Sequence, residues 1–473
     1  MRSEPASSPR VTGFWLKEAL GGPPPKSQEL QGDVRADVGI LGSGFTGLWT
    51  ALRLKELAPS LDVAIVERNF CGSGASGRNG GFCMTWSSKI LELVALCGAQ
   101  EGLRLFRASE EAVTAIGAFC REHAIDAQFR QDGWLWTASN AAQRDAWRAS
   151  VEQLERLGTN PFQEIDADEA AWRSGAPVNI AGVYEPTVAT LQPARLALGL
   201  RRVAIEKGVR IYEASPVTRI DRGAPVRLHT TAGSLTCDSL VLALNAWAAE
   251  LPEFRRTLLP LVADMLITQP APGNLADSGL STGVAVSDSR SLVHYYRSTP
   301  DGRIAFGKAS GRFFFAGQVG ERAEGQSHYQ EVIERSFRKF VGGLGDFPIA
   351  ESWRGPVTRT GTGLPFFGRL ARHPNIVYGH GYCGNGVGPS YTGGRILASL
   401  ALGLDDEWAS TPLTRGPHGG FPPEPIRYLG AQLVRDAVTR IEQAQDDGRP
   451  PTALDRFLGR FAPEGLSPTG RED

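Results

Sequence analysis

Gly42-Ser43-Gly44-Phe45-Thr46-Gly47 has the spacing of a phosphate-binding turn, and an acid, Glu67, follows about 20 residues after the last glycine. Each glycine has its own duty in such a turn. Gly42 permits the tight change of direction, Gly44 lets the main chain approach a pyrophosphate, and Gly47 lets helix and strand pack closely. A helix opening at Phe45 and Thr46 aims unpaired N–H groups and the positive end of its dipole at the phosphates. Glu67, with Arg68 beside it, is placed to meet a ribose diol. The chemistry implied is dinucleotide binding, although this motif alone does not separate FAD from NAD.

Two further glycine-rich segments fit the same ligand. In "GASGRNGGF", from Gly74 to Phe82, the residues Gly74, Ala75, Gly80 and Gly81 leave room for main-chain N–H groups to approach a cofactor, while Ser76, Arg78 and Asn79 offer polar contacts. The alternative is a flexible surface loop. Later, Gly384, Asn385, Gly386, Val387 and Gly388 precede a helical pattern with Pro389 in its first turn and Gly403 at its end. N–H groups at that positive helix end would stabilise an anion formed when a redox ring is reduced. An ordinary buried helix after a glycine turn is the bland reading.

Composition narrows the partners. With 50 Lys+Arg against 51 Asp+Glu, the net charge of −1 lacks the footprint of a nucleic-acid binder, so a small-molecule partner is expected. The six cysteines have no paired short spacings, which argues against zinc, any other metal site and a disulfide framework. No run supplies the roughly 20 apolar residues of a membrane span. The opening "MRSEPASSPR" reads as a disordered lead-in rather than a signal peptide, and a reducing, cytoplasmic setting is expected. Oligomeric state is not legible.

The elements that must position these residues follow from periodicity. "ADVGIL" (36–41) reads as a strand, 45–58 as a helix stopped by Pro59, and "DVAIVE" (62–67) as a second strand, which together make a βαβ unit. Residues 89–153 read as mostly helical with a strand at 133–139. A helix follows from "LQPARLALGLRRVAIEKG", then a meander over 226–248 whose "SLVLAL" suits the centre of a parallel sheet. From 260 to 318 the pattern is β-rich, with a hairpin turning near Pro300-Asp301-Gly302. At 473 residues, two domains are expected.

Taken together, "GILGSGFTGLWTALRLKE", "VAIVE" and "GASGRNGGF" resemble the glycine/D-amino-acid oxidase (DAO) superfamily of FAD-dependent oxidoreductases, in particular its amine-oxidising branch, which includes gamma-glutamylputrescine oxidase. "EASPVTRI", with Val217 at the position that meets the adenine, "LVLALNAWA", with Asn245, and "YGHGYCGNGVGPSYTGGRILASLALG" extend the likeness across most of the chain. The resemblance implies an α/β fold: a Rossmann-like FAD-binding domain of the glutathione-reductase type and a second, β-rich α+β substrate domain. The expected layout is an arm at 1–33, a discontinuous FAD-binding domain from 34–88, about 150–250 and 350–405, a substrate domain from about 89–149 and 251–349, and a helical extension at 406–473. FAD is expected to be non-covalent, although Cys71 and Cys383 fall in flavin-proximal loops.

The resemblance also implies the reaction: hydride transfer from the carbon beside an amine to flavin N5, imine hydrolysis, and reoxidation by oxygen or another acceptor. Tyr295 falls where related enzymes have a substrate-contacting tyrosine, and Arg297 lies two residues on along the same strand. Amino-acid-oxidising members place a carboxylate-gripping arginine where this chain has Val357, which argues against an ordinary α-amino acid. "GPVTRTGTGLPFFG" and "GNGVGPSYTGGRILASL" are most similar to the aminophosphonate oxidoreductase subgroup, and Arg78, Arg297, Arg354 and Arg359 are available to grip a phosphonate. A polyamine derivative, an N-methylated amine, or a flavoprotein without turnover are the alternatives. His380, in the closing glycine turn, is the acid–base candidate ahead of His294, and Lys308 stands where some amine oxidases carry a lysine near the flavin.

Overall fold

The computed structural model describes residues 11–24, 27–320 and 323–462. The lead-in expected at residues 1–10 lies outside them. The first sheet is built on near-continuous apolar strands, the signature of strands buried on both faces. Gly32–Leu41 pairs in parallel with Gly233–Leu242 on one side and Val63–Val66 on the other. Arg210–Tyr212 extends the Val63–Val66 edge, while His373–His380 and then the antiparallel Phe366–Leu370 extend the other. Helices Phe45–Leu57, Pro193–Glu206 and Val387–Leu402 pack together over this sheet. Pro193–Glu206 starts with proline in its first turn and is capped by the Gln192 side chain, which accepts from Arg195 N–H.

The second sheet has eight strands in the order Ile349–Arg359, Leu259–Thr268, Ile304–Phe313, His294–Ser298, Ala285–Asp288, Trp134–Ala138, Ala181–Glu185 and Gln163–Ile165. The hairpin expected at Pro300–Gly302 joins His294–Ser298 to Ile304–Phe313, with Arg297 opposite Ala305 and Gly302 at φ 80°. One face of the sheet is covered by helix Gln330–Val341, whose Phe337 and Phe340 pack on Tyr296 and Phe306. The other face looks toward the first sheet.

Two expected domain boundaries move. Gln163–Ile165 and Ala181–Glu185, assigned above to the FAD-binding domain, pair with each other and with Trp134–Ala138 in the second sheet. Ile349–Arg359 is likewise an edge strand of the second sheet, antiparallel to Leu259–Thr268. Short amphipathic strands carry no sign of which sheet they join; backbone pairing decides it. The arm is not a passive lead: helix Phe14–Leu20 buries Trp15 and Leu16 completely. The C-terminal extension docks through charge as well as apolar contact, with Asp446 paired to Arg290 at 2.6 Å and Lys339 at 2.8 Å.

Candidate cofactor and substrate site

A single cavity runs between the two sheets, and all three glycine-rich segments reach it. At the first turn Gly42 has φ 105°, and a Cβ there would stand 2.6 Å from the Ala243 carbonyl oxygen. At Gly47 a Cβ would stand 2.0 Å from the Gly42 carbonyl oxygen, so this glycine serves helix–strand packing and does not line the cavity. Gly44, Phe45 and Thr46 do line it. Phe45 N–H donates to Ser76 Oγ at 2.9 Å, so the first turn and the "GASGRNGGF" loop touch directly. Glu67 lines the same cavity and accepts from Ser43 N–H at 3.0 Å and Asn69 N–H at 2.9 Å. Arg68, Val217 and Asn245 line it too, with the Arg68 guanidinium 4.8 Å over the Trp247 ring.

The arginine and asparagine of the loop have structural duties. Arg78 donates from Nε to Ser73 O at 2.8 Å and from Nη1 to Thr12 O and Oγ1 at 3.0 and 2.8 Å, tying the arm to the loop. Asn79 donates to Ala75 O and Ser76 O and accepts from Gly81 N–H. With these side chains holding the loop's shape, Gly74, Ala75, Ser76 and Gly80 face the cavity, and Arg78 and Asn79 line it as well. Gly81 does not; its φ is 75°, and a Cβ would meet Leu191 O at 2.0 Å. At the closing turn Gly384, Asn385, Gly386 and Val387 line the cavity, whereas Gly388 packs on the main chain, 2.4 Å from Met84 O if it bore a Cβ.

These residues fit an extended dinucleotide. The groove is continuous from Glu67, past the start of helix Phe45–Leu57, to the start of helix Val387–Leu402. Buried polar atoms on its lining, Asn385 Oδ1 and Trp247 Nε1, have no partner among the described residues, while Asn385 Nδ2 is fixed by Thr85 O at 2.9 Å. An acceptor and a donor left unmet in this way are costly unless a ligand supplies their partners.

Strand parity decides the substrate side. Leu261, Ala263, Met265, Val293, Tyr295 and Ala309 line the cavity at alternate positions, as a period-2 backbone dictates, whereas the edge strand presents Gly355, Pro356, Val357, Thr358 and Arg359 in succession. Tyr295 is therefore in the site, packed against Phe82 and above Gly80. Lys308, opposite His294 in register, faces the other way: its Nζ lies 2.7 Å from His294 Nε2, and it does not line the cavity. His294 in turn is held by Asp288 through Nδ1 at 2.8 Å. Arg354 pairs with buried Asp264 at 3.0 Å on that same hidden side. Arg297 lies beyond the cavity, 1 % exposed, donating to Gly80 O, Leu191 O and Ser298 O beneath the Trp15 ring. The expectations that Lys308, Arg354 and Arg297 meet flavin or substrate are corrected accordingly.

His380 is also misplaced by the sequence reading. It is fully buried among Phe254, Phe366 and Tyr378, outside the cavity, and neither ring nitrogen has a partner among the described residues. Burial pushes its pKa down to about 3. The unfolded chain takes up this proton below about pH 6.5 and the folded chain does not, so this residue's contribution to stability is lost as pH falls from about 6.5 toward 3. His380→Phe is expected to keep kcat/KM within about threefold and to raise stability at pH 7 by about 1–3 kcal/mol, since it removes unmet polar atoms from an aromatic pocket. Thermal melts at pH 7 and 5 check this: the loss of stability on acidification shrinks in the variant.

Sequence reading passed over Met265, Trp134 and Trp247 on the lining, and named Arg359 only among four arginines. Arg359 closes an unbroken run, Gly355 to Arg359, that lines the cavity, so alternation from Val357 does not by itself single it out.

The family model described as DAO, FAD dependent oxidoreductase, matches residues 37–400. A probable oxidoreductase OrdL of Rhizobium meliloti is 30% identical over 407 residues, covering 85% of this chain and 91% of that protein. The gamma-glutamylputrescine oxidoreductase of Escherichia coli is 28% identical over 408 residues, covering 85% and 92%. Among solved structures, glycine oxidase from Geobacillus kaustophilus superposes with a TM-score of 0.68 at 21% identity, covering 82% of this chain and all of that one.

Proposed function

The chain belongs to the DAO family of FAD-dependent oxidoreductases, and from that premise we propose that it oxidises the C–N bond of a small amine, with an aminophosphonate as the substrate class and oxygen as the acceptor. One observation carries the amine reading. Among the described second-sheet residues that line the cavity there is no Asp, Glu, His or Lys; the wall is mostly apolar, with Trp134, Leu261, Met265, Val293 and Val357, the hydroxyls of Ser287, Tyr295 and Thr358, and Arg359 at its end. Such a wall disfavours an ammonium and favours the neutral amine, the form able to release a hydride from its neighbouring carbon.

FAD, held without a covalent bond by Glu67, the loop at 74–80 and the turn at 384–387, supplies the hydride acceptor. The protein's own work is to orient the amine, exclude water and keep the nitrogen unprotonated. Tyr295, beside Gly80 at the loop, presents its ring to the same space, and burial raises its phenol well above the usual range, so it acts as a neutral surface and hydroxyl donor. No side-chain base is required by this scheme.

Anaerobic mixing of the holoenzyme with an amine panel tests it. An aminoalkylphosphonate is expected to bleach the flavin band, faster as pH rises toward the amine's own pKa. Absence of bleaching by every amine would sink the reading in favour of a flavoprotein without turnover. Equal bleaching by polyamine derivatives or N-methylated amines lacking an anion would remove the aminophosphonate part.

A further inference from the structure

Resting on the amine-oxidising reading, we propose that Arg359 is the residue that grips an oxoanion on the substrate, a phosphonate or carboxylate carried on the same small molecule as the amine. Arg359 ends the edge strand Ile349–Arg359 and is the charged residue among the second-sheet residues lining the cavity. It is 8 % exposed, yet its guanidinium makes one hydrogen bond among the described residues: Nη1 donates to the Cys383 carbonyl at 2.7 Å. Nε and Nη2 have no acceptor among the described residues, and neither is enclosed by protein. No carboxylate among the described residues pairs with it; the neighbour that acts on its charge is Cys383.

A nearly buried guanidinium without a counter-ion is costly, and a protein of this size ordinarily satisfies it internally. The other three arginines weighed for the oxoanion are held more fully by protein acceptors. Arg78 donates to Ser73 and Thr12, Arg297 to three carbonyls, and Arg354 to Asp264. Arg297 and Arg354 lie off the cavity lining, and Arg78, which shares the lining, has only Nη2 without an acceptor among the described residues, whereas Arg359 keeps both Nε and Nη2. The Cys383 carbonyl, on a residue held at φ 54°, fixes the side chain, so two parallel N–H donors are pre-organised for a bidentate oxoanion. The same turn leads into helix Val387–Leu402, whose positive end adds to the attraction for an anion. The arrangement selects small amines bearing an oxoanion, and it repels a substrate whose far end is a second ammonium.

The test compares wild-type holoenzyme with Arg359→Met and Arg359→Lys, using methylphosphonate and acetate as probes read by perturbation of the flavin absorbance. The dissociation constant for methylphosphonate is expected to rise tenfold or more in Arg359→Met and to recover in part in Arg359→Lys. FAD stoichiometry should stay intact, and the flavin's redox equilibrium with a reference dye should shift less than threefold. Methylphosphonate binding less than tenfold weaker in Arg359→Met, or no saturable perturbation in wild type, would overturn the proposal. So would a dye-equilibrium shift of threefold or more, which puts the charge on the flavin, or loss of FAD from both variants, which makes the arginine part of the turn. The amine panel separates the two ideas. Bleaching by simple uncharged amines as readily as by oxoanion-bearing ones defeats Arg359 as a selector and leaves amine oxidation standing; Arg359-dependent probe binding without bleaching by any amine defeats amine oxidation and leaves the anion site.

Discussion

Gly47→Ala yields a protein that purifies without its yellow cofactor. The added Cβ would lie 2.0 Å from the Gly42 carbonyl oxygen and 3.3 Å from Ile40 Cγ2, both on the strand and turn that carry the phosphate site. The obstacle is main chain, so the clash cannot be relieved by rotating a side chain. Either the start of helix Phe45–Leu57 shifts or the turn at Gly42 opens, and each moves the N–H groups that face the pyrophosphate. FAD affinity is expected to fall by at least about 100-fold, on the order of 3 kcal/mol, read by flavin-to-protein absorbance and by titration of the apoprotein with FAD. Gly430→Ala is the control. It lies in helix Ile426–Asp446 with nothing within 4 Å of the new Cβ, and a helix-interior glycine there should gain up to about 1 kcal/mol of stability and keep its flavin.

The second large effect concerns Arg297. Arg297→Met removes a guanidinium that donates to Gly80 O at 2.8 Å and Leu191 O at 2.6 Å, joining the cofactor loop to the neighbouring strand segment, while Trp15 stacks on its other face at 4.9 Å. Two buried carbonyls lose their side-chain donor. At about 1–3 kcal/mol each, the variant should lose about 2–6 kcal/mol of stability, measured by urea denaturation of the holoenzyme. The loss should reach FAD retention too, because Gly80 lines the cavity. What should not change greatly is KM in the fraction that keeps its flavin. A raised KM with unchanged stability would instead make Arg297 a substrate ligand. The contrast with Arg359→Met, whose effect falls on ligand binding, separates an arginine that holds the protein together from one that faces the substrate.

Much of the site was legible because it is made of contiguous residues. Gly42 to Gly47, Gly74 to Gly80 and Gly384 to Val387 each form a local turn, so spacing along the chain is close to spacing in space, and Gly47 and Gly77 are dictated by the nearby carbonyls of Gly42 and Gly72. Even there the reading was too generous. Gly81 and Gly388 are glycines because Leu191 O and Met84 O press on them, contacts between segments far apart in sequence. Arg78 and Asn79, expected as cofactor contacts, do line the cavity, and they also stiffen the loop, a second duty that the sequence does not show.

The substrate side was less legible because its residues come from separate strands, and their roles depend on which face each strand presents. A one-residue difference in parity sends Tyr295 into the cavity and Lys308, on the neighbouring strand, away from it. By itself the sequence determined the dinucleotide turn, the helix starts and the parallel core, since those arise from steric demands within short windows and from apolar runs. Only the tertiary structure decided which arginine has unspent donors, which histidine is sealed among aromatic rings, and which strands belong to which sheet. Those outcomes depend on hydrogen bonds and burial between segments up to hundreds of residues apart, which no local pattern encodes.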